Sequence, residues 1–305
     1  MTQLNRRACL AGLMALVSTP ALAATAPGVA ITIDDFDLSA DPLMRGEARD
    51  GRLRESLDRF GIKAAGFVAG RNAVGEAGPT VLRAWSDGGH AIGNHSYSHN
   101  YYDGKDPLAY WQDIVKAEDV LKPYAGFRKL FRFPFLGEGK TVEGRDAMRQ
   151  LLSDNGYRNG HVTIDTSDWF YSSRLVARLK ADPKADLAPY RQAYLDHIWE
   201  KATFYDGVGQ QVFGRSIDHT LLLHHNLING LFLGDLLAMF KARGWRLVDA
   251  APAFAQPELA RTYDAMPSGQ SVVLQAAIAS GRPELARYPG EDSAYEKAKL
   301  DALGL

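Results

Sequence analysis

Val29-Ala30-Ile31-Thr32-Ile33-Asp34-Asp35 is an unbroken, largely β-branched apolar run that stops on two carboxylates. A run this short with no polar face reads as a strand buried on both sides, and such strands belong to parallel sheets covered by helices. The same grammar repeats downstream. Lys63 to Val68, His90 to Asn94, Lys129 to Phe133, Gly160 to Ile164, Thr220 to Leu223 and Trp245 to Val248 are further short apolar runs. Segments with helical spacing lie between them: Arg45 to Phe60, Thr80 to Asp87, Pro107 to Leu121, Gly144 to Leu152, Leu187 to Tyr205 and Gly230 to Arg243. Regular strand–helix alternation predicts a parallel sheet wrapped by helices. About seven such units in about 225 residues suit a closed or nearly closed β/α barrel better than two domains. An open doubly wound sheet is the alternative, but no G-x-G-x-x-G follows the first strand.

The two ends of the chain read differently. Arg6-Arg7, the apolar run Ala8 to Val17 and the small-residue exit Pro20-Ala21-Leu22-Ala23 predict a secretory signal peptide over 1–23. The paired arginines suggest twin-Arg export, although the residues after them match that signal poorly. Export to the periplasm or the medium is therefore expected. Cys9 is the only cysteine and lies inside this leader, which excludes disulfides, thiol catalysis and Cys-ligated metal from the remainder. Without Arg6 and Arg7 the basic count is 33 against 36 acidic residues, and no basic run suggests nucleic acid. No later segment is long and apolar enough for stable membrane insertion. Residues 24–250 carry the barrel pattern. Beyond them Pro252, Pro257, Pro267, Pro283 and Pro289 punctuate short helical pieces, so 251–305 reads as a mostly helical extension packed on the barrel.

Polar groups fall where the strands end. Asp34-Asp35, His95, Arg132, Asp165/Asp168 and His224 each follow a different expected strand. In a β/α barrel those ends converge on one face, where active sites are built. Gly89 to His99 adds two imidazoles, His95 and His99, four residues apart; in one helical turn or tight loop both rings face the same way. Two histidines plus one carboxylate form the ligand set of an open catalytic metal site. Taken alone, the pair is equally compatible with two unrelated surface histidines.

The same residues carry a resemblance. Thr32-Ile33-Asp34-Asp35 is similar to T-F-D-D, His95-Ser96-Tyr97-Ser98-His99 to H-[ST]-x-x-H, and Arg132-Phe133-Pro134-Phe135 to R-x-P-Y. Asp165 to Trp169 matches D-x-x-D-W, and Leu222-Leu223-His224 resembles a closing L-x-H. In this order the five motifs resemble the polysaccharide deacetylase family with the NodB homology domain, carbohydrate esterase family 4. The resemblance implies a distorted (β/α) barrel that removes acetyl groups from sugars with a divalent metal.

By the same resemblance Asp35, His95 and His99 are the metal ligands and Asp34 is the base that deprotonates the attacking water. Arg132 orients that base through a bidentate contact, His224 is the acid, and Asp168 orients His224. The backbone N–H of Phe135 faces the oxyanion, while Trp169 and Leu222 wall the acetyl pocket. A His₂Asp set suits zinc and also accepts cobalt, nickel, iron or manganese. His90 or Asn94 is a candidate to hold the second ring nitrogens of the ligands, and His225 competes with His224 for the acid role. The expected partner is an acetylated polysaccharide, of N-acetylglucosamine type before O-acetylated xylan. Two further readings stay open on this fold: an amidase acting on cyclic imides, and a glycan-binding relative without activity. Gly139-Lys140-Thr141 mimics the end of a phosphate-binding loop, but proline occupies position 134, where its first glycine belongs.

Overall fold

The computed structural model describes residues 26–267, 269–286 and 293–305. The expected leader, with Cys9, and Pro289 lie outside the described residues. Seven strands form one sheet: β1 (Gly28–Asp35), β2 (Ala65–Val68), β3 (Ala91–Asn94), β4 (Phe127–Phe131), β5 (Arg158–Asn159), β6 (Asp218–His224) and β7 (Arg246–Leu247). Every pairing is parallel. The order is β5-β4-β3-β2-β1-β6, with β7 joined to the start of β1. Just past β5 a parallel bridge between Ile164 and Leu221 brings the chain back to β6. The sheet thus curls towards closure as the distorted (β/α) barrel expected from the sequence. The central strand β1 is buried along its length, with Val29, Ile31 and Ile33 wholly inaccessible to solvent.

Two of the differences from the sequence reading bear on the site. Gly160 to Ile164 is not a regular strand; the ladder to β4 ends at Asn159. The Phe67 ring lies where a side chain on Gly160 would stand, at 2.3 Å from an ideal Cβ, so the chain passes close over that ring and leaves β4. Towards β6 the backbone bonds at Thr163 and Ile164 are then supplemented by hydroxyl groups. Thr163 Oγ1 accepts from the Thr220 amide at 2.8 Å, and Thr166 Oγ1 donates to the Leu222 carbonyl at 2.8 Å. The second difference is a helix, Asp168–Ala181, absent from the reading. Its apolar stripe (Tyr171, Leu175, Leu179) is plain, but its start carries no capping bond: the Ser167 hydroxyl is buried without a hydrogen-bond partner, and Asp168 is engaged elsewhere.

After Asp249 the described chain forms helices only: Ala250–Ala255, Pro257–Ala260, Val272–Ala279 and Ser293–Ala302, with a 3-10 turn at Pro283–Ala286. Val272, Val273 and Leu300 share one apolar cluster with β1, so this segment is part of the barrel's own core. No described helix is long and apolar enough to cross a membrane.

The last helix inserts Glu296, wholly buried, among three partners. Tyr171 donates to it at 2.9 Å, Lys201 Nζ lies 3.2 Å away and His197 Nδ1 3.4 Å away. Burial alone would raise this carboxyl; His197, Lys201 and Tyr171 outweigh it and hold the group at about 2, below the ordinary 4.5. Because the folded value lies below the unfolded one, the stabilisation is complete above about pH 4.5 and is lost as pH falls towards 2. Its size is on the order of 3 kcal/mol. Glu296→Gln is therefore expected to flatten the acid limb of a stability–pH curve measured by urea unfolding. Parallel curves for variant and parent across that window would refute the assignment.

Candidate active site

The last two residues of β1 do different work because the strand breaks between them. Asp34 keeps extended geometry and stays buried, whereas Asp35 and Phe36 turn into the left-handed region at φ 73° and 54°. The turn aims the Asp35 carboxylate at the loop after β3. It is held from behind by Asn72, whose amide donates to the Asp35 carbonyl at 2.8 Å.

That loop carries His95 and His99. It is no helical turn but a tight loop, with Ser96 and His99 at φ 59° and 55°. Asn94 accepts from the Ser96 amide, the Ser96 hydroxyl accepts from the His99 amide, and Asp113 accepts from Tyr97, Ser98 and the Ser98 hydroxyl. The rings converge: Asp35 Oδ1 lies 3.4 Å from His95 Nε2 and 2.9 Å from His99 Nε2. Ligand atoms of Asp35, His95 and His99 fall within 4.8 Å of one another. Asp35 Oδ1 is buried with no hydrogen-bond partner, so the donor set fits a divalent cation. Burial opposes ionisation of Asp35, but the two imidazoles and His224 outweigh it and hold the carboxyl well below the usual carboxylate range.

His95 Nδ1 lies 2.8 Å from the Arg132 carbonyl. A carbonyl only accepts, so this nitrogen bears the proton and Nε2 presents its lone pair to the ligand cluster. The holding group is thus a backbone atom, not His90 or Asn94. His90 instead accepts from the Ala64 amide, its imidazole pushed down to about 4 by burial and Lys63. Asn94 is used in fixing the loop and in bonds to Ile114 and Tyr157.

Arg132 leaves β4 and is buried to 1% exposure. Its Nη1 donates to Asp34 Oδ1 at 2.6 Å and to the Thr32 hydroxyl at 2.8 Å, while Nε donates to the Gly160 carbonyl at 2.8 Å. The guanidinium lies 3.9 Å above the Phe67 ring. The contact to Asp34 therefore runs through one nitrogen and is not bidentate; Gly160 takes the group's other donor edge. Asp165 sits deeper, outside the cavity, its carboxyl raised to about 6 by burial.

On the facing wall His224 Nδ1 is 2.7 Å from Asp168 Oδ1. The buried Asp168 also accepts from the His224 amide at 2.9 Å, Asn226 at 2.8 Å and Asn229 at 2.6 Å. Burial works against its ionisation, and His224 leads the groups that lower its carboxyl below the ordinary value. Asn226 caps the helix Leu227–Ala242, which thereby starts before the expected Gly230. Behind Asp168 the Ser167 amide donates to His197 Nε2 at 3.0 Å. His225 points away from the cavity: Arg49 donates to its Nδ1 at 3.3 Å and its ring packs on Phe36 at 5.3 Å.

These groups surround a cavity of about 420 Å³. Asp34, Asp35, His95, His99, Phe135, Trp169, Leu222 and His224 line it, with Phe133 and Leu136. Arg132 and Asp168 stand behind the lining as partners of Asp34 and His224. Phe135 and Leu136 also have left-handed backbones, at φ 56° and 54°. A larger cleft of about 510 Å³ between Asp37–Ala40 and Arg71–Gly78 holds none of these groups.

Removing one member of a buried pair strands the other, at a cost of about 3–5 kcal/mol. Arg132→Met should lower unfolding stability by that order in urea titration. An unchanged midpoint would show that the Asp34–Arg132 contact contributes nothing to stability.

The chain is 25% identical over 233 residues to the peptidoglycan-N-acetylglucosamine deacetylase of Bacillus cereus, covering 74% of this chain and 68% of that protein. It is 28% identical over 173 residues to a chitin deacetylase of Colletotrichum lindemuthianum, covering 54% of this chain and 63% of that protein. The chain thus spans about two thirds of these relatives' length. In fold it resembles a CE4 family pseudoenzyme from Bacillus anthracis, with TM-score 0.53, 16% identity and coverage of 76% and 66%. It also resembles a variant of the peptidoglycan deacetylase PdaC from Bacillus subtilis, with TM-score 0.51, 18% identity and coverage of 76% and 91%. Residues 22–160 match the family model described as polysaccharide deacetylase.

Proposed function

We propose that the protein is an exported, metal-dependent hydrolase that removes acetyl groups from N-acetylglucosamine-type units of a polysaccharide. One observation carries this reading: a cation-fitting donor set lies in one cavity, beside an arginine-paired carboxylate and opposite a carboxylate-held imidazole. The chemistry belongs to residues 24–250, and the expected leader accounts for export.

Asp35, His95 and His99 would hold the cation, zinc before cobalt, nickel, iron or manganese. Such a cation supplies a Lewis acid that polarises the acetyl carbonyl and acidifies water. Asp34, held by Arg132, takes the proton from the water as its oxygen bonds to the acyl carbon. The Phe135 amide donates to the developing oxyanion. His224, with Nδ1 committed to Asp168, delivers a proton from Nε2 to the leaving nitrogen as the C–N bond breaks; acetate and the free amine result. The negative Asp168 favours the charged imidazole that this step needs. Trp169 and Leu222 limit the cavity to a small acyl group.

A non-catalytic glycan binder is the second reading, favoured by the likeness in fold to a pseudoenzyme. An acetate-release assay over acetylated glycans, with and without chelator, separates the two, because a binder releases none. The His95→Ala/His99→Ala double variant is expected to lose bound metal by elemental analysis and to stop releasing acetate. His224→Asn should keep the metal while kcat falls about 10²- to 10⁴-fold. Full activity in either variant would sink the assignment.

A further inference from the structure

The mechanism leaves one conspicuous side chain at the cavity mouth unused. Phe135 and Tyr101 are 64% and 44% exposed, with ring centroids 6.3 Å apart, and Phe135 in turn lies 5.0 Å from His99. Exposed aromatic rings in contact with each other, beside a reaction cavity, mark a contact surface for a ligand.

Tyr101 is also fixed. Its ring rests directly on the backbone of Gly137, where an ideal Cβ would come within 2.3 Å of the ring edge. Lys140 Nζ stands 5.6 Å from its centroid. The loops that carry Tyr101 and Phe135 are tied together: the Lys140 amide donates to the Asp103 carbonyl at 3.1 Å, and the Tyr102 hydroxyl to the Gly144 carbonyl at 2.7 Å. Gly104 is packed against Gly139 and Gly144 so closely that a Cβ there would meet their Cα atoms at 3.4 Å. A cleft of about 350 Å³ extends from Tyr101 past Asn100, Asp103, Lys105 and Asp106.

We infer that Tyr101, together with Phe135, forms a binding subsite for the sugar ring next to the one that loses its acetyl group. A pyranose presents C–H groups on its faces and hydroxyls around its rim. The faces suit a rigid aromatic ring, and the rim suits the amide and carboxylates of the adjoining cleft. A ring already immobilised loses little entropy on binding. The occupant is thus the continuing glycan chain, and the enzyme prefers an oligomer over a single sugar. This inference rests on the deacetylase reading for the identity of the neighbouring unit.

The test compares the parent protein with Tyr101→Ala and Tyr101→Phe. Binding of a β-1,4-linked N-acetylglucosamine tetramer is measured by calorimetry, and kcat/KM is measured for the tetramer and for 4-nitrophenyl acetate. Tyr101→Ala is expected to raise Kd and KM for the tetramer about tenfold and leave the small ester unchanged, while Tyr101→Phe behaves as the parent. Equal losses on both substrates, an unaltered Kd, or no binding of the tetramer by the parent would overturn the subsite. If the parent binds the tetramer through Tyr101 but releases no acetate, the subsite stands and the deacetylase reading fails.

Discussion

A full positive charge sits inside the mouth of this barrel. Burial disfavours the Arg132 guanidinium, and the Asp34 carboxylate is the first group that offsets the penalty. Thr32, Gly160 and the Phe67 face provide the remaining contacts. These partners come from β1, β2 and the segment after β5, so one side chain, carried just past β4, ties these three parts of the sheet together. The same side chain's carbonyl fixes the tautomer of His95. Asp34 and His95 are therefore both set by one residue, through its head on one side and its backbone on the other.

Around that centre the backbone is strained in a concentrated way. Seven described non-glycine residues have left-handed φ, and six of them (Asp35, Phe36, Ser96, His99, Phe135 and Leu136) lie at or beside the cavity. Each such residue costs on the order of 1–3 kcal/mol and persists only where its surroundings over-determine it. Here the determinants are visible: Asn72 behind Asp35, Asn94 and Asp113 around the histidine loop, and the Phe133 carbonyl accepting from Leu136. A regular strand end would have sent Asp35 to the opposite face of the sheet from Asp34. The strained turn brings both carboxylates to one cavity, one beside an arginine and the other beside two imidazoles.

Much of this was legible in the chain because strand ends in a parallel barrel are read directly from where apolar runs stop. Asp34, Asp35, His95, Arg132 and His224 announced themselves that way. What stayed hidden depends on atoms that sequence does not distinguish. The carbonyl that holds His95 belongs to every residue type. Asp113 and Asn229 act from helices and Asn226 from a helix cap, where polar residues ordinarily face solvent, and nothing in their spacing marks them as inward. His225 competes with His224 on paper, but successive residues at a strand end face opposite ways, and this alternation sends it to Arg49 instead of the cavity. The helix Asp168–Ala181 was missed because its first residue is a buried hydrogen-bond acceptor for His224 and so gives no cap.

The segment matched by the family model, 22–160, holds Asp34, Asp35, His95, His99, Arg132 and Phe135, but ends before the Asp168–His224 pair. Those two residues are supported by a part of the chain that carries no motif. Ser167 is anchored by His197, and His197 faces Glu296 from the last helix. The segment before that helix reaches the other wall, where Gly269 lies so close to the Leu136 carbonyl that any side chain there would collide with it. The described residues beyond 250 therefore brace both walls of the cavity from outside and are not among its lining. A barrel cut back to its motifs would keep every group named in the chemistry and lose the contacts that keep the two walls in register.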